Sequence, residues 1–257
     1  MLAPHAPLRL LTKKYFDYTG RDEYRRKIAS DGLVCWHTQH KQTELFICAE
    51  KLLDSQALDT VINLREELDS YIKRHREFAE SFKPVKPKKD APKIVLDMCS
   101  AAYAAKVGPM AAVAGAFAAY TGYALLKKTR QCIIENGGDI YIKTDKPKTV
   151  AIYAGKSPLS MKIGLTADSG AAPLSICTSA GTVGHSVSFG NADAAAVVSR
   201  DACLADACAT RLGNEIKTSA DIKRSLETII SIKGVIGAVA IVGGDCGAAG
   251  DIRLERL

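Results

Sequence analysis

Twenty consecutive residues, from Val107 to Leu126, carry no charge, and their composition decides what the rest of the chain can be. A run of about 20 apolar residues is long enough to span a bilayer. This one, however, is built from alanine and glycine, with Pro109 near its start and only two leucines. Alanine gains little from lipid, so the run is expected to form a buried helix and no membrane partner is expected. Gly108, Gly115 and Gly122 recur every seven residues and so lie along one helix face, drifting by about 20° per repeat. A glycine stripe lets a neighbouring backbone or a ligand approach closely. Tight packing against a sheet or helix is the simpler of these two readings.

The remaining composition is globular, with 257 residues, 47% apolar and 25% charged. That excludes a collagen-like, coiled-coil or disordered chain. Aromatic residues make up 6%, too few for a stacking platform on single-stranded nucleic acid. The net charge of +7 is diffuse except between Lys83 and Lys93, where five lysines and three prolines accompany one acid, Asp90. Prolines there favour extended structure. The segment reads as a solvated connector, with a phosphate-binding arm as the alternative. No nucleic-acid partner is expected. Eight cysteines without a CxxC pair argue against a disulfide scaffold or zinc ribbon and for a reduced, intracellular protein. The first residues lack the apolar core of a secretory signal, so a cytoplasmic location is expected.

Alternation at 33–37 and 43–49 predicts a hairpin. A long helix follows, capped by Asp54 or Ser55, whose apolar positions run from Leu58 to Phe82. Strand-like runs come at Cys132–Ile134, Ile140–Ile142, Val150–Tyr153, Met161–Leu165, Leu174–Cys177 and Ala194–Val198. Two helices at 201–214 and 219–232 precede a final strand, Val235–Val242. Gly-Gly-Asp occurs at 137–139 and again at 243–245, in each case after helices, a faint echo of two related halves, about 1–150 and 151–257, within a single domain.

Three segments carry side chains suited to chemistry. Thr178–Gly190 offers hydroxyls at Thr178, Ser179, Thr182 and Ser186, with Gly181 and Gly184 between them. Such a loop can turn backbone N–H groups toward a phosphate. His185 would contact the anion or move a proton; an ordinary turn-rich loop is the alternative. In the segment 201–210, Asp206 and Thr210 lie four apart, on one helix face. Their oxygens suit Mg²⁺, while a cap or solvated surface is the plainer role. Asn136, Gly137, Gly138 and Asp139 interrupt an apolar run as a tight turn would, and a ligand approaching the glycine backbone is the functional reading. Cys35-x-His37-x-x-His40 is not expected to bind metal, because strand alternation separates His40 from the other two. Cys203 and Cys208 read as small core residues.

Together, Gly137–Asp139, the TSAG run 178–181, His185 and above all ADACAT at 205–210 resemble the ApbE-like superfamily of FAD:protein FMN transferases, over about residues 95–215. The runs VGPMAAVAGA, ENGGDIYI and TSAGTVGHSVSFGNADA look closer to an uncharacterised branch of it. The resemblance implies a single α+β domain with two T-fold-like halves, antiparallel sheets and packed helices. It implies that Asp206 and Thr210 bind Mg²⁺ at the pyrophosphate of FAD. A threonine of an acceptor protein would attack, leaving FMN attached as a phosphoester and releasing AMP. Residues 178–186 would hold phosphate, and Asn136–Asp139 would line the flavin or nucleotide pocket. The chain departs from the transferases in having no acid within Val107–Ala114 and FGNADAA where they have DP-x-TG. A flavin- or nucleotide-binding protein without turnover is the alternative function.

Overall fold

The computed structural model describes residues 32–179 and 190–257. Strands β1 (Val34–His40) and β2 (Thr43–Ala49) form the expected hairpin. Helix α1 (Asp54–Arg74) follows, then α2 (Arg76–Glu80), α3 (Lys93–Ala105), a 3₁₀ turn over Pro109–Ala112 and α4 (Val113–Leu125). Strands β3 (Cys132–Asn136) and β4 (Asp139–Lys143) complete a first β-β-helices-β-β unit. Strands β5 (Lys148–Ala151) and β6 (Ile163–Ala167) intervene. A second unit repeats the order with β7 (Leu174–Ser179), β8 (Ala194–Ser199), α5 (Ala202–Glu215), α6 (Ile222–Ile230), β9 (Val235–Val242) and β10 (Asp245–Gly250), before β11 (Leu254–Arg256).

The two units share one antiparallel sheet, ordered β1-β2-β3-β4-β7-β8-β9-β10. They join where β4 pairs with β7, Tyr141 opposite Ser175. This is the α+β, two-halved architecture expected from the sequence. The two Gly-Gly-Asp triplets hold equivalent places in the two units, since each closes a two-residue hairpin that pairs Asn136 with Asp139 or Val242 with Asp245.

Both faces of the sheet are covered. Ile134, Tyr141, Cys177, Ala195, Val197 and Ala240 pack against the helices. Ile133, Ile140, Ile176, Val198 and Ile241 face the small sheet β11-β6-β5 through Val150 and Leu165. Burial on both sides explains why these strands read as unbroken apolar runs.

Several expectations are corrected. Neither Asp54 nor Ser55 caps α1; Leu53 holds that place without a side-chain bond. The long helix breaks at His75, whose ring bonds Asp90, and Phe82 is 64% exposed instead of inward. The uncharged run is a 3₁₀ turn and a 13-residue helix. Among the described residues no single helix is long and apolar enough to cross a membrane, and α3 meets Pro109–Leu125 at 104°. All three stripe glycines are close contacts with protein: a Cβ would come within 1.8 Å of Ser81 O at Gly108, 2.4 Å of Ala202 O at Gly115 and 2.3 Å of the Tyr141 ring at Gly122.

The cysteines are not all reduced. The register of the β1–β2 hairpin sets Cys35 opposite Cys48, and the two form a disulfide. Its 13-residue separation is expected to contribute about 2–3 kcal/mol by restricting the unfolded chain. A melt with reductant should fall about 4–12 °C below one without it.

Candidate functional site

The seam between the two units gathers much of the chemistry singled out in the sequence. At the end of β3, Gly137 (φ 67°) and Gly138 (φ 111°) both have positive φ, which glycine adopts without strain in a two-residue hairpin turn. The turn starts β4 with Asp139 buried on the helix-facing side. Glu135, also buried, accepts a hydrogen bond from Gly138 N–H at 3.1 Å. Half-buried Thr178 and Ser179 end the neighbouring β7. A Cβ at Gly138 would lie 3.6 Å from Thr178 O, so the turn and the end of β7 are adjacent.

Above the sheet, α5 starts with Asp201 accepting from Leu204 N–H at 3.2 Å. The next turn carries Asp206, whose Oδ2 accepts from Gly115 N–H, in the first turn of α4, at 2.9 Å. The Ala114 N–H also bonds this carboxylate, while Asn136 Nδ2 donates to Ala114 O at 3.0 Å. A carboxylate at the positive end of a helix is favourable. Asp206 reaches it because Gly115 has no Cβ; one placed there would lie 2.9 Å from the Asp206 Cβ. Thr210, half-buried, sits one turn further along the same face. Ser179 also approaches α5, its Oγ 3.5 Å from where a Cβ at Gly213 would be.

The two buried aspartates dominate the electrostatics. Burial pushes Asp206 up to about 7, against the pull of the Gly115 and Ala114 N–H groups. Burial, followed by the Asp206 charge, raises Asp139 well above the ordinary carboxylate range, against the Cys177 thiol and Thr178 N–H. No lysine or arginine is among the groups that shift either one. Asp139 Oδ1 is buried and has no hydrogen-bond partner among the described residues. Raised in this way, the two carboxyls favour their protonated forms unless a cation offsets the charge.

The structure thus brings together Asn136, Gly137, Gly138, Asp139, Thr178, Ser179, Asp206 and Thr210. Gly181, Thr182, Gly184, His185 and Ser186 lie outside the described residues. Among the described residues no group of three or more His, Cys, Asp or Glu side chains is placed to hold a metal. Mg²⁺ does not require one, because it commonly binds one or two carboxylates and takes its other oxygens from water and phosphate. The donor set here is hard oxygen, with an orphaned carboxylate atom in it, and it suits such an ion. The clamp that Asn136 and Asp206 place on α4 was missed from sequence. Gly115, already marked as a point of close approach, was the available signal.

A family described as AbpE bacteria matches residues 26–245. The chain belongs to this family. A UPF0280 protein of Methanocella arvoryzae is 39% identical over 220 residues, covering 85% of this chain and 89% of the relative. One from Methanococcus aeolicus is 42% identical over 201 residues, covering 76% and 81%. Among solved structures, the flavin transferase ApbE from Vibrio cholerae superposes with a TM-score of 0.55 at 12% identity, covering 84% of this chain and 96% of that one. The flavinyl transferase ApbE of Pseudomonas stutzeri, in its apo form, gives 0.59 at 11%, covering 85% and 96%. At such identities the likeness is one of fold. The chain is therefore an ApbE-like superfamily member in the UPF0280 branch.

Proposed function

We propose that the chain is a Mg²⁺-dependent enzyme acting on a flavin or nucleotide pyrophosphate, transferring FMN from FAD to a hydroxyl of an acceptor protein. The observation that carries this reading is the pair of buried carboxyls, Asp139 and Asp206, with no cationic side chain among the groups that shift them. Two buried carboxyls cannot both ionise cheaply, and a bound cation would allow them to. Asp206 and Thr210 would hold Mg²⁺, which when bound offsets charge developing on the pyrophosphate. Thr178, Ser179, Gly181, Thr182 and Ser186 would hold phosphate oxygens, and Asn136–Asp139 would border the flavin or nucleotide. His185 would contact the phosphate or take the proton of the attacking hydroxyl. In the transfer, the acceptor oxygen bonds to the FMN phosphorus, the pyrophosphate P–O bond breaks, and AMP leaves with its electron pair.

Binding without turnover is the second reading. It is favoured by the engagement of Asp206 Oδ2 with the first turn of α4 and by the lack of an acid within Val107–Ala114. Incubating the protein with FAD and Mg²⁺, then measuring retained flavin and released AMP, separates the two. Without an acceptor, water takes its place, and slow release of AMP and FMN is expected. Flavin retained without AMP would support binding alone. Neither flavin nor AMP would remove FAD from the account.

A further inference from the structure

The basic segment between α2 and α3 is more ordered than a solvated connector needs to be. Ser81 ends α2 in an extended conformation (φ −77°, ψ 131°), and Pro92 opens α3 in another (φ −66°, ψ 164°). Between them the backbone is tied to α1, with Lys88 N–H donating to Tyr71 OH at 3.0 Å. Asp90, the lone acid, is exposed but engaged by two neighbours on and just after α1. Its Oδ2 accepts from Arg74 Nε at 3.0 Å, and its Oδ1 lies 3.0 Å from His75 Nε2. Lys93 pairs with Asp97. Lys83, Lys86, Lys88 and Lys89 are exposed and make no ion pair among the described residues. Four ammonium groups in seven residues, none of them in an ion pair among the described residues, are thus held on a strap whose only acid is exposed but already paired with Arg74 and His75.

The position of the strap adds to this. Its first residue, Ser81, packs its carbonyl on Gly108, immediately before the 3₁₀ turn that leads to Ala114 and Gly115. The strap therefore begins against the segment that leads into the first turn of α4. We propose that Lys83, Lys86, Lys88 and Lys89 dock an acidic, extended segment of a partner protein. Like charges held on a fixed backbone raise the local concentration of an oppositely charged chain. A nucleic-acid strand is disfavoured because the strap offers little ring surface for bases, Phe82 being its only aromatic residue. The proposal does not rest on the flavin reading, because docking is measured without FAD.

The test uses the full chain and a fluorescent octaglutamate peptide, read by anisotropy at low and moderate salt, with oligouridine of equal charge as competitor. The protein should bind the peptide in preference to oligouridine, more weakly as salt rises. Replacing the four lysines with glutamine should weaken binding at least tenfold while leaving the melting temperature unchanged. Asp90→Asn should also weaken it, about two- to fivefold, although it adds net positive charge, because it releases the strap from Arg74 and His75. Unchanged binding by the quadruple variant would overturn the proposal. So would preference for oligouridine, or tighter binding by Asp90→Asn in line with its charge.

Discussion

Asp206→Asn is expected to make the metal-free protein more stable at pH 8 while abolishing metal-dependent nucleotide binding. Burial holds the Asp206 carboxyl up to about 7 in the folded chain, whereas an aspartate in an unfolded chain titrates near ~4. Between those values the folded state keeps a proton that the unfolded state has lost. Stability therefore falls as pH rises from about 4 to about 7 and stays at the lower level above. Asparagine cannot ionise, yet its carbonyl can still accept from Gly115 N–H. It also relieves Asp139 of a neighbouring charge, and the two carboxyls titrate as a pair. The slope should flatten, and above neutral pH the variant should gain about 2 kcal/mol, or roughly 4–8 °C in melting temperature. Melts from pH 4 to 9 in chelator check this. If the charge served chiefly to cap α4, the variant would instead lose stability at pH 8.

Gly115→Ala should be among the most damaging single-methyl changes available to this chain. The added carbon would lie 2.4 Å from Ala202 O and 2.9 Å from Asp206 Cβ. One obstacle is helix backbone and the other is the root of a side chain, so neither can rotate away. Overpacking of this kind costs about 3 kcal/mol, which is a fall of roughly 6–12 °C in a chain of this size. Parting α4 from α5 also withdraws Asp206 from the Gly115 N–H, so ligand binding should weaken in the same variant. Gly244→Ala is the control: its nearest neighbour would be Pro158 Cγ at 4.0 Å, and its melting temperature should stay within about 2 °C of the parent.

Much of the sheet could be read from periodicity. The strand Val235–Val242 falls where its apolar run placed it, and the Gly-Gly-Asp echo marks two hairpins at matching places in the two units. Helix α3 escaped because nothing local separates it from the uncharged run. It ends at Lys106, a left-handed residue without a glycine signal, whereas Pro109 drew the boundary further on. Strand β10, Asp-Cys-Gly-Ala-Ala-Gly, has little strand propensity of its own; pairing with β9 makes it a strand. The Cys35–Cys48 disulfide depends on register: the pairing that sets His40 opposite Thr43 also sets the two cysteines opposite each other.

For the candidate site, residue identity was legible and division of labour was not. Asp206 and Thr210 stand on one helix face, as their spacing required. That Asp206 would also bond the start of α4, a helix about 90 residues earlier, depends on how the two units are joined and has no local signature. The same holds for Asn136, which bonds the Ala114 carbonyl. Val107–Ala114 carries no acid. In its place the first turn of α4 offers backbone N–H groups, and Asp206 takes them.

On the proposed function, Asp206 and Thr210 would hold a divalent cation at the seam for use with a pyrophosphate. Titrating Mn²⁺, as a spectroscopic stand-in for Mg²⁺, into the protein with FAD present and reading free ion by electron paramagnetic resonance tests it directly. One bound Mn²⁺ per chain is expected, displaced by Mg²⁺ and weakened at least tenfold in both Asp206→Asn and Thr210→Val. Binding that is absent from the parent protein, or equally tight in both variants, would contradict it.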